Sequence, residues 1–494
     1  MILASIYYQK IIIVKQFLKV FNRCTLIIFL IFIISSSLIK AQDGHYWTEQ
    51  YGNKSMLLSG VVIGNVEDLG AVYYNPARLG LIKNPAFILN ASLFQLTSLK
   101  FEDGLGEGID ASKSKFGEGP SLVAGSFNLK FLNNHRFSYS VLTRNSFDFN
   151  SFFRTQDEGE IFENIPGEEI FVGQIELNSK FNELWLGLTW AFQLRTKSSI
   201  GVSMFGSYRT DERLFDMRLQ AISKEDGGVA VFNNSREINY NTYGLLWKLG
   251  YAVDFSDLVS FGLTVTTPKV KLGGSGEFVT QEFLAGIDTT GDGINDDIFI
   301  ANAQDGLSVE NKAPWSIGAG FGLNFGELTI SVSGEWFSEI PKYTVIQTDP
   351  FIGQSTGEEI SNSLVENLNS VINYGLGVEY DFNKKLSAYL SFATDFSAVP
   401  KEINRFLSLE NETSNSSFQA DIYHFGGGVV FGFKRMEFTV GSTYASSRQE
   451  IKRVISVPSE DGNTETVNTT SLMKLNQWRF IVGFSLPFAK EENN

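Results

Sequence analysis

From Trp315 to Gly326 the chain alternates without a slip. Trp315, Ile317, Ala319, Phe321, Leu323 and Phe325 hold one parity, and Ser316, Gly318, Gly320, Gly322, Asn324 and Gly326 the other. A strict two-residue period is a strand with one apolar face. The same split recurs at 259–266, 243–255, 386–396 and 478–488. A water-soluble sandwich would also show it, because two apolar faces can meet each other. The spacing of the runs decides between the two.

Turn signals divide the chain into fourteen alternating segments. They span 86–102, 121–132, 136–155, 170–194, 198–222, 235–254, 257–275, 312–325, 328–347, 368–382, 386–400, 416–433, 436–452 and 471–488. Short connections such as Thr196-Lys197, Gly326-Glu327 and Lys434-Arg435 alternate with much longer ones, the longest covering Gly276 to Asn311. An even strand count with short turns on one side and long loops on the other marks a bacterial outer-membrane barrel. Closure also removes the exposed edges that so many apolar strands would otherwise present. The expected fold is all-β, a 14-stranded antiparallel transmembrane β-barrel. Its last strand puts Trp478, Phe480, Val482, Phe484, Leu486 and Phe488 on one face.

The chain begins with an export pattern. Lys10, Lys15, Lys19 and Arg23 precede an uncharged run from Thr25 to Ile39, and Lys40-Ala41 follows. Basic, apolar and then small residues in that order form a secretory signal peptide with cleavage after Ala41. The apolar run is short for a spanning helix, which needs about 20 residues. The competing reading is an uncleaved anchor, because Ile39 is a poor residue at the third position before the cut. Cys24 is the one cysteine, so the mature chain has no disulfide chemistry. Removing residues 1–41 leaves 35 basic against 55 acidic residues, a poor balance for binding nucleic acid. With no linker or low-complexity tract, the expected division is a signal peptide at 1–41, a plug segment at 42–85, the barrel at 86–488 and a periplasmic tail at 489–494.

Between signal and first strand lies Gly60 to Ala77, Gly-Val-Val-Ile-Gly-Asn-Val-Glu-Asp-Leu-Gly-Ala-Val-Tyr-Tyr-Asn-Pro-Ala. Its glycines permit tight turns, and Pro76 biases Asn75 towards an extended conformation. This stretch resembles the FadL-type family of outer-membrane transporters for long-chain fatty acids and other hydrophobic compounds. In that family an Asp followed by Asn-Pro-Ala folds into a plug inside the barrel, and Asp68, Asn75, Pro76 and Ala77 are the matching positions, with Gly60 at the start of the segment. The resemblance implies passive transport of a hydrophobic small molecule through an outer-membrane lipid bilayer, with no enzyme activity and the chain acting as a monomer. A plugged barrel can equally serve as a structural or secretion-accessory platform.

If the apolar parity faces lipid, the other faces the lumen. On the third segment that places Ser138, Ser140, Leu142, Arg144 and Asp148 inward; Lys248 and Asp254 follow on the sixth and Arg479 on the last. Arg144, Lys248 and Arg479 stand at similar heights and are the candidates for a ligand's carboxylate head. The competing reading pairs them with acids such as Asp148, Asp395, Glu67 or Asp68, because an unpaired charge in a dry lumen is costly. No cofactor is expected, apart from calcium in the longest loop. There Asp288, Asp292 and Asp296 fit part of a calcium-loop template, although Phe299 replaces the final Glu. A hydrolase is the remaining reading. It would need a nucleophile and an acid beside His424, the inward-facing histidine of the twelfth segment.

Overall fold

The computed structural model describes residues 44–82, 86–102, 111–129, 131–159, 167–286, 294–295, 297–400, 411–415, 419–433, 436–458 and 464–487. The predicted signal peptide lies outside them, as do the calcium candidates Asp288, Asp292 and Asp296. Among the described residues no helix is long and apolar enough to cross a membrane; the crossing is made by strands.

The strands, in chain order, are β1 (Ala86–Glu102), β2 (Ala111–Phe127), β3 (His135–Gly159), β4 (Glu169–Arg195), β5 (Ser198–Ser223), β6 (Val229–Asp254) and β7 (Val259–Thr266). Then come β8 (Val270–Ala285), β9 (Ile298–Leu307), β10 (Ser316–Asn324), β11 (Leu328–Phe337), β12 (Ile340–Gln347), β13 (Phe351–Ile352) and β14 (Glu359–Ile360). The last are β15 (Ser363–Leu368), β16 (Val371–Asn383), β17 (Leu386–Asp395), β18 (Glu412–Ser414), β19 (Ile422–Phe433), β20 (Met436–Pro458) and β21 (Thr464–Pro487). Fourteen of them form an antiparallel ring. Its order is β1 to β7, then β10, β11, β16, β17, β19, β20 and β21. β5 pairs with β6, and β21 pairs with β1 from Ala86↔Pro487 upward, so the ladder returns to its start.

The ring wears its apolar parity outward. Leu188, Leu249, Leu263, Phe321, Leu376, Leu390 and Phe480 are exposed, whereas their neighbours Thr189, Lys248, Thr264, Gly320, Gly375, Tyr389 and Arg479 are buried. Only a lipid surround makes such a surface stable. Exposed Phe255, Phe325, Phe382 and Phe433 mark the short-turn rim; Tyr208, Tyr243, Trp315 and Tyr423 lie towards the other.

Two expected single strands are in fact broken. Segment 257–275 is β7 followed by the lower part of β8, both antiparallel to β6, parted at Thr267-Pro268-Lys269. Proline has no N–H to continue a ladder. Segment 328–347 parts at Ser338-Glu339, and its upper piece, β12, joins β15 and β18 in a separate three-stranded sheet. Val345, Ile346 and Leu364 of that sheet pack with Ile238 and Tyr240 of β6 and Phe278 of β8, above the cavity described below. The longest expected loop is not structureless either, since β8 and β9 form a hairpin within it. The free edge of β9 is masked by side chains. Gln354 bonds both the N–H and the C=O of Ala301, and the Ser355 hydroxyl bonds both groups of Phe299.

Residues 44–82 fill the lumen as a plug. Its helical turns, Asn53–Leu57, Ala71–Tyr74 and Pro76–Gly80, are each too short to stand alone. One side-chain cap, the Asp68 carboxylate and wall contacts hold them instead. Asn75, extended at φ −156°, caps the last turn by accepting the Ala77 amide at 3.1 Å, with Pro76 at the first helical position. Asp68 accepts from Ser55 N at 3.0 Å, Ser55 Oγ at 2.9 Å and Gly70 N at 2.9 Å. Burial pushes its carboxyl above the ordinary value, and the Ser55 and Gly70 bonds offset only part of that. Gly60 turns the chain at φ +76°. Tyr51, Leu57, Val72 and Leu79 of the plug share one apolar cluster with Leu142, Phe205, Leu246 and Ile481 of the wall.

Candidate cavity above the plug

Between the plug, the wall and residues 311–316 lies a cavity of about 70 Å³. Tyr46, Tyr73, Trp185 and Phe337 give it aromatic sides, and Tyr46 stacks on Phe337 with ring centroids 4.1 Å apart. Four cations line it, Arg144, Lys248, Lys269 and Lys312, against two carboxylates, Glu183 and Glu335. The balance is positive in a chain that is strongly acidic as a whole.

The three expected head-group cations meet different fates. Arg144 sits where the β3–β4 register slips between Thr143 and Asn145, and this bulge brings both Arg144 and Asn145 to the cavity. Its guanidinium lies 5.5 Å from the Trp185 ring centroid and 5.9 Å from that of Tyr73. Among the described residues it has no carboxylate partner. Lys248 is paired, its Nζ 3.3 Å from Glu335 Oε1 and 4.9 Å from the Tyr73 ring centroid. Glu335 also accepts from Ser316 Oγ at 2.7 Å and Trp47 Nε1 at 3.1 Å. Arg479 does not line the cavity. It ties down the N-terminal strap, bonding Thr48 O at 2.9 Å, Gln50 Oε1 at 3.2 Å and the Glu49 carboxylate.

The same bulge corrects the parity of β3 above it. Asp148 is exposed beside Lys180 on the outer face rather than inward. Asp254 does face in, and holds Arg78 of the plug. Asp395 anchors the strap, accepting from Tyr46 N at 2.8 Å, Trp47 N at 2.9 Å and Thr48 Oγ1 at 2.7 Å. His424 faces inward as expected. Its Nε2 is 3.7 Å from Asp395 Oδ2 and has no hydrogen-bond partner among the described residues, so the hydrolase reading gains no nucleophile there. Among the described residues no three His, Cys, Asp or Glu side chains gather as metal ligands do.

Lys269, Glu183 and Glu335 were not among the sequence candidates. Parity taken along every strand exposes the two glutamates as inward residues. Lys269 escapes that reading because it follows Pro268, where the alternation stops.

A ring of fourteen antiparallel strands closed around its N-terminal segment has matches among solved structures. A FadL homologue of Pseudomonas aeruginosa matches with a TM-score of 0.54 and 10% identity, covering 92% of this chain and 100% of that one. The fold is that of the FadL-type barrels. The toluene transporter TodX of Pseudomonas putida matches at 0.53 with 14% identity, over 90% of this chain and 100% of its own. CymD, a monoaromatic hydrocarbon channel, matches at 0.52 with 11% identity, over 90% of this chain and 99% of its own. No protein-family model matches the sequence, and no curated protein matches it.

Proposed function

We propose that this FadL-type barrel is a passive outer-membrane transporter for hydrophobic molecules, and that its preferred ligands are amphiphiles with an anionic head, such as long-chain fatty acids. The observation that carries this reading is Arg144, a guanidinium without a carboxylate partner among the described residues, stacked over Trp185 and Tyr73 in a cavity above the plug. With no carboxylate hydrogen-bonded to it among the described residues, the guanidinium can give an incoming anion a charge-assisted bond. Aromatic walls beside it suit the first methylenes of an acyl chain. The hydrocarbon channels of the same fold take neutral aromatics, and the positive balance of this cavity favours a different ligand.

The cavity is far smaller than the roughly 300–1,000 Å³ of a typical ligand pocket, so a whole amphiphile needs the surroundings to move. Two routes out are available to the ligand. One passes the plug; the other is a break in the wall beside Pro268. The filled lumen is also what favours the second reading, a plugged barrel serving as a structural or secretion-accessory platform.

Uptake separates the two. Cells expressing the protein should accumulate radiolabelled oleate faster than control cells, and Arg144→Ala should abolish the gain. Mass spectrometry of lipids extracted from the purified protein should find fatty acids. No uptake of oleate, with envelope proteins co-purifying instead, supports the platform.

A further inference from the structure

The wall beside the cavity is joined by side chains alone. The β7–β10 ladder ends at Thr266↔Ser316, and the β8–β9 ladder resumes at Gly276↔Leu307. Residues 267–275 and 308–315 therefore face each other as two lips, and among the described residues no backbone hydrogen bond crosses between them. Val270, Leu272 and Trp315 turn apolar surface outward along this seam. Lys271 lies opposite Gly244, ten residues above Asp254, or roughly 25 Å from the short-turn side for a tilted strand. That is the upper edge of an apolar belt about 25 Å tall.

Two lysines tie the lips. Lys271 reaches Ser308 Oγ at 3.4 Å and Glu310 at 3.5 Å on the outside, with both charged side chains about a third exposed. Lys269 makes the inner tie. Its side chain, 4% exposed, bonds Asn311 Oδ1 on the opposite lip and stands 3.5 Å from Glu183 of β4. The Asn311 side chain is buried, and its Nδ2 has no partner among the described residues. Among the described residues only Lys269 anchors it.

We propose that Lys269 is the latch of this seam and that the anionic head of the ligand releases it. The proposal rests on the reading of Arg144 as the head-group site. Arg144 stacks on Trp185, whose Nε1 donates to Glu183 at 2.9 Å. An anion held by Arg144 is thus delivered beside Glu183, the carboxylate that Lys269 faces. The new anion repels Glu183 and offers Lys269 a stronger acceptor than the neutral amide of Asn311. Lys269 turns inward, the inner tie is lost, and the lips part where the cavity is too small for the acyl tail. A neutral hydrocarbon carries no charge with which to do this. The latch is thereby a selectivity device: it answers to the head, while the seam passes the tail.

The test uses the full-length protein in lipid nanodiscs, with oleate and the neutral oleyl alcohol as probes. A bimane label at Val270→Cys, quenched by Trp315 of the opposite lip, reports the seam. Oleate should relieve the quenching and oleyl alcohol should not. In Lys269→Met and Asn311→Ala the quenching should already be relieved without ligand, and oleyl alcohol uptake by expressing cells should rise at least tenfold towards that of oleate. Lys269→Arg should retain the wild-type contrast. Two variants on opposite lips guard against misfolding of either, and heat-modifiable migration confirms the closed barrel. If Arg144→Ala weakens oleate binding yet oleate leaves the quenching unchanged and both latch variants behave as wild type, the latch is overturned and the head-group reading stands. If Arg144→Ala binds oleate as wild type does, the head-group reading itself fails.

Discussion

Arg78 Nη1 of the plug lies 2.6 Å from Asp254 Oδ1 at the foot of β6, joining the last plug turn to the barrel wall. The arginine side chain is 10% exposed and the aspartate 31%, so solvent weakens the pair without abolishing it. Arg78→Ala should cost about 1 kcal/mol of plug docking, the worth of a partly screened charged pair. Hydrogen exchange across residues 71–80 should rise while the strands keep their protection. Unchanged exchange there would show the pair to be incidental.

Plug and wall also approach too closely for ordinary side chains. A Cβ at Gly262 of β7 would overlap the Ile63 carbonyl and crowd the Asn75 amide. Gly262→Val should still let the barrel insert, because its outward parity is untouched. It should displace the plug at a cost of about 1–3 kcal/mol, seen as protease cleavage within residues 60–77 of a heat-modifiable barrel.

Asn75 makes three bonds at once. Its Oδ1 takes the Ala77 amide, while Nδ2 donates to Ile63 O at 2.9 Å and Tyr251 O at 3.2 Å. Asn75→Ala removes a helix cap worth about 1 kcal/mol and leaves buried carbonyls unpaired. Asn75→Asp keeps the cap but brings a charge against those two carbonyls, and should loosen the plug at least as much. Amide exchange at Ala77 is the readout.

For the cavity, Arg144→Gln should lower oleate affinity by about 10–100-fold, the value of one charge-assisted bond. Oleyl alcohol should bind the variant and the wild type alike. Lys248→Ala differs in kind, because it strands Glu335 and adds net negative charge beside the ligand head. Titration of the purified variants against both probes distinguishes the two cases.

The plug should also respond to pH. Burial raises the Asp68 carboxyl above its ordinary 3.8. A group raised on folding contributes its stability fully below that ordinary value, and loses it as pH climbs through the higher folded one. Protection of the Ser55 and Gly70 amides, corrected for intrinsic exchange, should therefore be greater near pH 4 than at pH 8. Asp68→Asn should flatten the trend. Protection that grows with pH in the wild type would contradict the assignment.

What the sequence made legible follows the lipid boundary. Within the belt one face of every strand meets hydrocarbon, so parity is enforced and strands such as β10, β17 and β21 stand out. Above it both faces meet protein or water, and β9 and β15 left no alternation to read. The plug turn was legible through its glycines, Pro76 and the Asn-Pro-Ala resemblance, because turn chemistry is local. The outward turn of Asp148 was not, since one inserted residue at Arg144 reverses every side chain beyond it. Arg479 lay on the inward face as expected, but parity says nothing of a strap that arrives from hundreds of residues away to occupy it.

The side chains of Gln354 and Ser355 at the border of β9 carry a last implication. A bare strand invites any extended polypeptide to lie alongside it, and here the backbone groups of Ala301 are met by Gln354 and those of Phe299 by Ser355. That edge is closed to stray peptide by saturation rather than by bulk, while a molecule with nothing to offer a backbone meets no such refusal.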